Sequence, residues 1–354
     1  MAPVHALDKY YLGITMLVTI GYQALGFFIA WTFQFDKITD FTGGSNLFLL
    51  GASLEAIDFI IIDIVLALLT LLIGNTFYAR NIVASVLVMV WAKRLAGFLL
   101  FRVLKTGSDS RFDDIRSHFF KFMGFWIGQI IWIWTVSLPL TILNSPAVSD
   151  PSLGGSNPAF GTSRDIAGIV LWALGWAIES VADLQKFLYK SQRPPKDQPP
   201  SFGIWKWSRH PPYFGEMMCW WGIWILCLSP TTNGDLPTSS KRAQYGAIMS
   251  PIFTTLLLMF ASGVPTAEKP TAKKYYLLSN GVNAKEDHRN AWSNYKAYLR
   301  STSILIPLPP ALYSRLPAII KKIVLFDFPM YQFNESIDGP TAIEEDQKKN
   351  SDRA

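Results

Sequence analysis

Apolar runs long enough to cross a hydrocarbon core, which takes about 20 helical residues, recur along the chain. They occupy roughly residues 10–34, 47–73, 81–101, 119–143, 166–185, 212–229 and 245–262. The pattern predicts an all-α fold, a polytopic membrane bundle of about seven transmembrane helices. Two runs are less regular. The second contains Glu55, Asp58 and Asp63, which suits a short span preceded by a surface helix, and the sixth is barely long enough to cross.

Composition agrees with this reading. Half of the 354 residues are hydrophobic and only 16% are charged, with 13 Trp and 24 Phe, far from the mix of a soluble domain. No nucleic-acid partner is expected; the partners expected are membrane lipids and a small lipophilic molecule. The first run lacks the basic start and the cleavage pattern of a signal peptide and reads as a retained anchor. Cys219 and Cys227 sit eight residues apart in the sixth run, a spacing that suits neither a mutual disulfide nor a metal site. They read as small buried hydrophobes.

Lys and Arg are retained in cytoplasmic loops. If seven spans alternate, one side holds the N-terminus and the loops near 74–80, 144–165 and 230–244, with only Lys9, Arg80, Arg164, Lys241 and Arg242. The other side holds Lys37, then Arg102 to Lys121, then Lys186 to Arg209, and the basic tail from Lys269 onward. The second side is expected to be cytosolic and the N-terminus lumenal or exterior. The loop at 144–164, rich in Pro, Ser, Gly and Asn, is expected to be flexible.

That topology gathers the awkward polar residues at one level. Residues 209–216 read Arg-His-Pro-Pro-Tyr-Phe-Gly-Glu and lead into the sixth span. Arg209, Tyr213 and Glu216 follow i, i+4, i+7, so helical geometry puts them on one face with His210 beside them. In the fifth span Glu179, Asp183, Lys186 and Lys190 form a second stripe descending to the cytosol, and Lys93 and Arg94 lie inside the third. A charge buried alone in a bilayer costs several kcal/mol. These groups are therefore expected to pair or to line a wet, cytosol-open cavity suited to a large anionic ligand. Snorkelling at helix ends accounts for Lys186, Lys190 and Arg102 without any site.

The sequence Arg-His-Pro-x-Tyr-x-Gly-Glu ahead of an aromatic apolar span resembles the steroid 5-alpha-reductase C-terminal superfamily, and within it a branch of fungal and bacterial membrane proteins. The resemblance also takes in Phe35 to Asn46, Ala92 to Gly97 with Arg111-Phe112-Asp113, the Glu179 to Lys186 stripe, and Ile306-Pro307-Leu308-Pro309, together about residues 35–310. It implies a helical bundle whose cytosolic half holds NADPH and reduces a double bond in a lipophilic, sterol-like or other lipid substrate. Glu179 and Asp183 would meet the nicotinamide end or ribose. Arg94, Lys186, Lys190 and Arg209 would take phosphates, with Glu216 holding that arginine or an amide of the ligand. Lys273, Lys274 and Tyr295 would close over the adenine and its 2′-phosphate. His210, Tyr213 and Asp40 are the candidate proton donors. The expected location is the endoplasmic reticulum membrane. No Gly-x-Gly-x-x-Gly follows a strand, so nucleotide binding would not be of the Rossmann type.

Two positions depart from the pattern. Pro212 stands where the family usually has Asn, and Trp91 stands where steroid reductases use a Tyr; an indole N–H donates a hydrogen bond but not a proton. S-adenosylmethionine-dependent membrane methyltransferases share versions of the octet, and a non-catalytic lipid- or nucleotide-binding scaffold is a third reading. The chain thus divides into a reductase-like membrane domain over 1–310, a cytosolic amphipathic segment over 311–334 and a tail over 335–354 whose polar composition reads as disordered. In the middle segment Leu312, Leu316, Ile319, Ile320 and Ile323 fall near one helical face, with Arg315, Lys321 and Lys322 toward the other, which suits a helix lying on anionic headgroups.

Overall fold

The computed structural model describes residues 7–33, 62–74, 77–106 and 118–351. Asp40, Glu55, Asp58 and the Arg111–Asp113 stretch lie outside them. The described residues fold as helices α1 (Leu12–Phe33), α2 (Ile62–Gly74), α3 (Ala79–Thr106), α4 (Phe119–Leu143), α5 (Ser163–Ser191), α6 (Pro211–Cys227), α7 (Thr238–Gly246), α8 (Met249–Leu256), α9 (Val264–Asn280), α10 (Ala291–Ser301) and α11 (Asp338–Ser351), with a few shorter turns. Among them the only β pairing is an isolated bridge between Ser208 and Ser303.

A helical membrane bundle accounts for this chain. Among the described residues five stretches are long and apolar enough to cross a bilayer: Leu12–Thr32, Ala79–Phe98, Phe119–Ser149, Ser163–Ser191 and Thr238–Asn280. Helix α5 shows why they suit lipid. Ile166, Val170, Leu174, Val181, Leu184 and Leu188 are all exposed along one side, a stripe that water would penalise. The other two expected spans are not among these. The described part of the second is α2, and α6 has 17 residues, about 26 Å at 1.5 Å per residue.

The run expected as the seventh span, 245–262, ends where the chain bends. A π turn at Leu257–Ala261 follows α8, with Ser262 N–H reaching the Leu257 carbonyl at 2.9 Å, and the helix breaks at Ser262 and Gly263. Gly263 follows, where a Cβ would lie 2.4 Å from the Leu258 carbonyl oxygen. Residues 264–280 form the separate helix α9, which carries Glu268, Lys269, Lys273 and Lys274.

The chain forms two compact units, residues 1–173 with 219–254 and residues 174–218 with 255–354. In the first, α1 runs antiparallel to α4. Phe27 packs on Phe122 and Trp126 at one end, and Trp134 Nε1 donates to the Leu12 carbonyl at 3.1 Å near the other. The loop expected to be flexible is tied down here. Arg80 pairs with Asp165 at 2.7 Å and donates to the carbonyls of Pro158 and Ala159 and to the Asn157 amide. Asn81 bonds Asn144 and Ser149 at 2.9 and 3.0 Å. Buried polar groups need such partners, and together they supply them.

In the second unit Tyr275, Trp292, Tyr295 and Tyr298 form an aromatic core between α9 and α10. The tail that composition marks as disordered is helix α11, packed on α9. Its Gly339 abuts the Tyr276 ring, Asp346 accepts from Val282 N–H at 3.0 Å, and Glu345 pairs with Lys273. Specific partners on α9 and the following loop supply what the segment's polarity alone does not.

Candidate functional site

The octet splits at its prolines. Pro211 and Pro212 open α6, where proline's missing N–H costs nothing, and a residue before proline is pushed toward extended backbone. Residues 207–210 accordingly precede the helix and pair with the segment after α10. Arg209 N–H donates to the Ser303 carbonyl at 2.8 Å, Leu308 N–H to the Trp207 carbonyl at 3.0 Å, and Ser208 Oγ to the Leu305 carbonyl at 2.7 Å. The shared helical face expected for Arg209, Tyr213 and Glu216 is therefore not formed, because Arg209 and His210 precede the helix; Tyr213 and Glu216 lie within it.

Arg209 points instead into a buried charge network. Its Nη1 bonds Glu268 Oε2 at 2.8 Å and its Nη2 bonds Asp327 Oδ1 at 3.1 Å. The other Glu268 oxygen lies 2.7 Å from His210 Nε2, and Tyr313 Oη donates to Asp327 Oδ2 at 2.6 Å. Arg209 is only 7% exposed. Burial works against its charge, but the carboxylates of Glu268 and Asp327 outweigh burial and hold its pKa above the ordinary value. Its Nε has no partner among the described residues. The His210 ring stacks on Tyr213, with centroids 5.2 Å apart and planes 10° from parallel. A carboxylate on one nitrogen and a ring on its face fix the imidazole's orientation.

The stripe of α5 is present and graded. Glu179 is 3% exposed, Asp183 is half-buried, and Lys186 and Lys190 are exposed. Lys186 Nζ sits 4.6 Å from the centroid of the Trp205 ring, a cation–π contact that Trp205 can make because its own Nε1 is held by the Ala182 carbonyl at 2.9 Å. Gly215 of α6 lets that helix approach. A Cβ there would lie 2.6 Å from the Gly175 carbonyl oxygen and 2.7 Å from Glu179 Cγ. Tyr213 and Glu216 are half-buried beyond this contact.

Lys273 and Lys274 line an open cleft of about 420 Å³ with Pro270, Leu277, Asn283 and Asp346. Lys273 is already paired with Glu345 of α11. Tyr295, expected to close over an adenine, is 2% exposed, stacked on Tyr275 at 4.6 Å and against Trp292. It is a core residue with no open face. Burial raises the pKa values of Tyr295 and Tyr298, and Tyr298 Oη donates to the Trp205 carbonyl at 2.7 Å.

Arg94 lies half-buried in the first unit. Here the structure adds a feature the motifs did not indicate. Asp63, Thr70, Ser137, Thr141 and Trp220 line a small enclosed cavity, and Asp63 Oδ2 and Trp220 Nε1 are buried with no partner among the described residues. Trp91 packs edge-on against Trp220 at 5.0 Å, and its Nε1 is likewise unpartnered. The only sequence signal was a carboxylate within an apolar run. Glu268 and Asp327, the two partners of Arg209, were also missed, since each lies far from the octet in sequence and neither belongs to a motif.

A family model described as a protein of unknown function (DUF1295) matches residues 26–280. The chain belongs to the DUF1295 family. Within the matched region fall the octet, the α5 stripe, Glu268, and both Lys273 and Lys274; Tyr295, Tyr313 and Asp327 lie beyond it. No curated protein and no solved structure matches the chain.

Proposed function

We propose that this DUF1295 protein is a membrane-embedded reductase that uses NADPH to reduce a double bond in a lipophilic substrate. The observation that carries this reading is the layout of α9. One helix supplies Glu268, which fixes Arg209 and His210 of the octet, and a turn and a half later Lys273 and Lys274 on an open cleft. The two lysines give the α9 cleft a positive edge that suits an anionic ligand, five residues along the helix from the carboxylate that holds the titratable centre. The exposed cations Lys186 and Lys190 of α5 add phosphate-binding capacity in the same unit.

When bound, the reduced nicotinamide would supply the hydride. The chain's own residues then hold and orient. Lys273 and Lys274 take the 2′-phosphate, and Lys186 and Lys190 take bridging phosphates. Glu179 and Asp183 accept hydrogen bonds from the ribose or carboxamide. His210, fixed by Glu268 and stacked on Tyr213, is the candidate proton donor. Arg209 has a different part from the one the resemblance implies. Two carboxylates already neutralise it, so it positions His210 through Glu268.

One observation favours the non-catalytic scaffold: the acidic helix α11 covers Lys273. The two readings separate on what the purified protein carries. Mass spectrometry of the supernatant from denatured protein is expected to show NADP(H). Finding S-adenosylmethionine instead would favour methyl transfer, and finding no nucleotide even after incubation with excess NADPH would favour the scaffold.

A further inference from the structure

Between Tyr313 and Asp327 the chain leaves the body of the second unit and returns. The excursion is closed at its base: Tyr313 Oη bonds Asp327 Oδ2 at 2.6 Å, and Asp327 in turn grips Arg209. Its middle is the short helix Ala318–Ile323, and its inward anchor is the buried Leu325. Phe326 then takes a φ of +60°, a left-handed turn that brings Asp327 back toward Arg209.

What this excursion presents outward is apolar. Ile319 is 64% exposed and Ile323 67%, with Leu312, Val324, Phe326 and Met330 also exposed. Adjacent exposed aliphatics of this size are costly in water, so something covers them. The charge of the segment narrows the choice. Residues 311–326 contain Arg315, Lys321 and Lys322 and no Asp or Glu. Arg315 and Lys322 are exposed, and Lys321 lies with its Nζ 4.3 Å from the Tyr313 ring centroid.

The patch is also continuous with a membrane span. Phe326 meets Phe328 at 6.2 Å, and Phe328 stacks on Phe260 at 5.9 Å. Phe260 is itself exposed, on the π turn of the apolar stretch Thr238–Asn280, one turn from exposed Leu256. Tyr331 Oη fixes the junction by donating to the Met259 carbonyl at 2.6 Å. A surface that runs without interruption from lipid-facing residues of a span onto a basic, acid-free excursion has the composition of an interfacial element.

We propose that residues 312–330 dip into the headgroup region of the bilayer, with Ile319, Ile323 and Val324 among the acyl chains and Arg315, Lys321 and Lys322 on lipid phosphates, with a preference for anionic lipid. The segment does not end in the lipid. Through Tyr313 and Asp327 it is bonded to Arg209, so the depth of insertion bears on the octet. This goes beyond the reductase reading and does not depend on it.

The test places an environment-sensitive fluorophore on single cysteines at positions 319 and 323, both exposed, and at Lys348, exposed on α11, as the aqueous control; native Cys219 and Cys227 are buried. The full chain is placed in nanodiscs of phosphatidylcholine with and without phosphatidylserine, and with brominated acyl chains. Positions 319 and 323 are expected to emit at shorter wavelength than 348 and to lose intensity in brominated lipid, more so with phosphatidylserine at low salt than at about 1 M salt. Water-like emission at 319 and 323 overturns the proposal. So does a blue shift without loss of intensity in brominated lipid, which would mean that protein, such as a second copy of the chain, covers the patch.

Discussion

Arg209 and Glu268 are 59 residues apart in sequence and meet at 2.8 Å in the buried interior of the second unit, where the second oxygen of the same carboxylate reaches His210 at 2.7 Å. One carboxylate thus neutralises the guanidinium and orients the imidazole. Neither side chain could be buried as it is without the other. Removing one partner of a buried pair leaves an uncompensated charge, at a cost of about 3–5 kcal/mol.

Glu268→Gln is therefore expected to destabilise the protein by an amount in that range and lower its melting temperature sharply. Glu216→Gln is expected to cost much less, because Arg209 has its partners elsewhere. Thermal unfolding of both variants in one detergent compares them directly. Equal losses would show that Glu216 shares the burden of Arg209.

The glycine contact of α5 and α6 makes a second prediction. Gly215→Ala would place a methyl 2.6 Å from the Gly175 carbonyl oxygen, and Gly222→Ala one 2.7 Å from the Gly168 carbonyl oxygen. Each is expected to destabilise by about 1–3 kcal/mol through overpacking. Gly128→Ala, with nothing within 4 Å, is expected to be neutral or mildly stabilising, since a helix favours Ala over Gly. The three melting temperatures decide the matter.

Much of the architecture was legible in the sequence, because a span is a local property. Apolar runs at 10–34, 81–101, 119–143 and 166–185 fall on α1, α3, α4 and α5. The graded stripe from Glu179 to Lys190 also followed from periodicity alone. The octet's geometry was misjudged because i, i+4, i+7 spacing was applied across two prolines that start the helix after His210. Glu268 and Asp327 were not legible at all, since pairing over such separations depends on tertiary folding. The tail failed differently. Its composition is that of a disordered segment, yet α11 is held by particular contacts, Glu345 with Lys273 and Asp346 with Val282, which composition does not record.

Buried phenols set the alkaline limit. Tyr295 and Tyr298 have pKa values raised above the ordinary 10.0 by burial, and Tyr313 by burial and by its hydrogen bond to the Asp327 carboxylate. The unfolded chain ionises these groups near pH 10 and the folded chain does not. Their stabilising contribution is whole below about pH 10 and is lost as the pH rises above it. Chemical denaturation across about pH 8–11 should show a falling midpoint above pH 10, less steep in Tyr298→Phe. An unchanged slope in that variant would show that Tyr298 ionises as freely in the folded chain as in the unfolded one.

In the proposed reading Glu345 of α11 competes with the nucleotide for Lys273. Glu345→Gln is expected to tighten NADPH binding, because it frees a lysine on the cleft. NADH, which lacks the 2′-phosphate, should gain less. Isothermal titration of both nucleotides against wild type and variant measures the difference, and an equal gain for both would remove the link between Lys273 and the 2′-phosphate.

The account rests most heavily on NADPH binding at the α9 cleft. The most direct measurement is quenching of intrinsic Trp fluorescence by NADPH and by NADH in wild type and in the Lys273→Ala/Lys274→Ala double variant. The account predicts saturable binding with NADPH bound more tightly than NADH in the wild type, and near-equal, weak binding of the two in the variant. Equal affinity for both nucleotides in the wild type, or a response to S-adenosylmethionine alone, would contradict it.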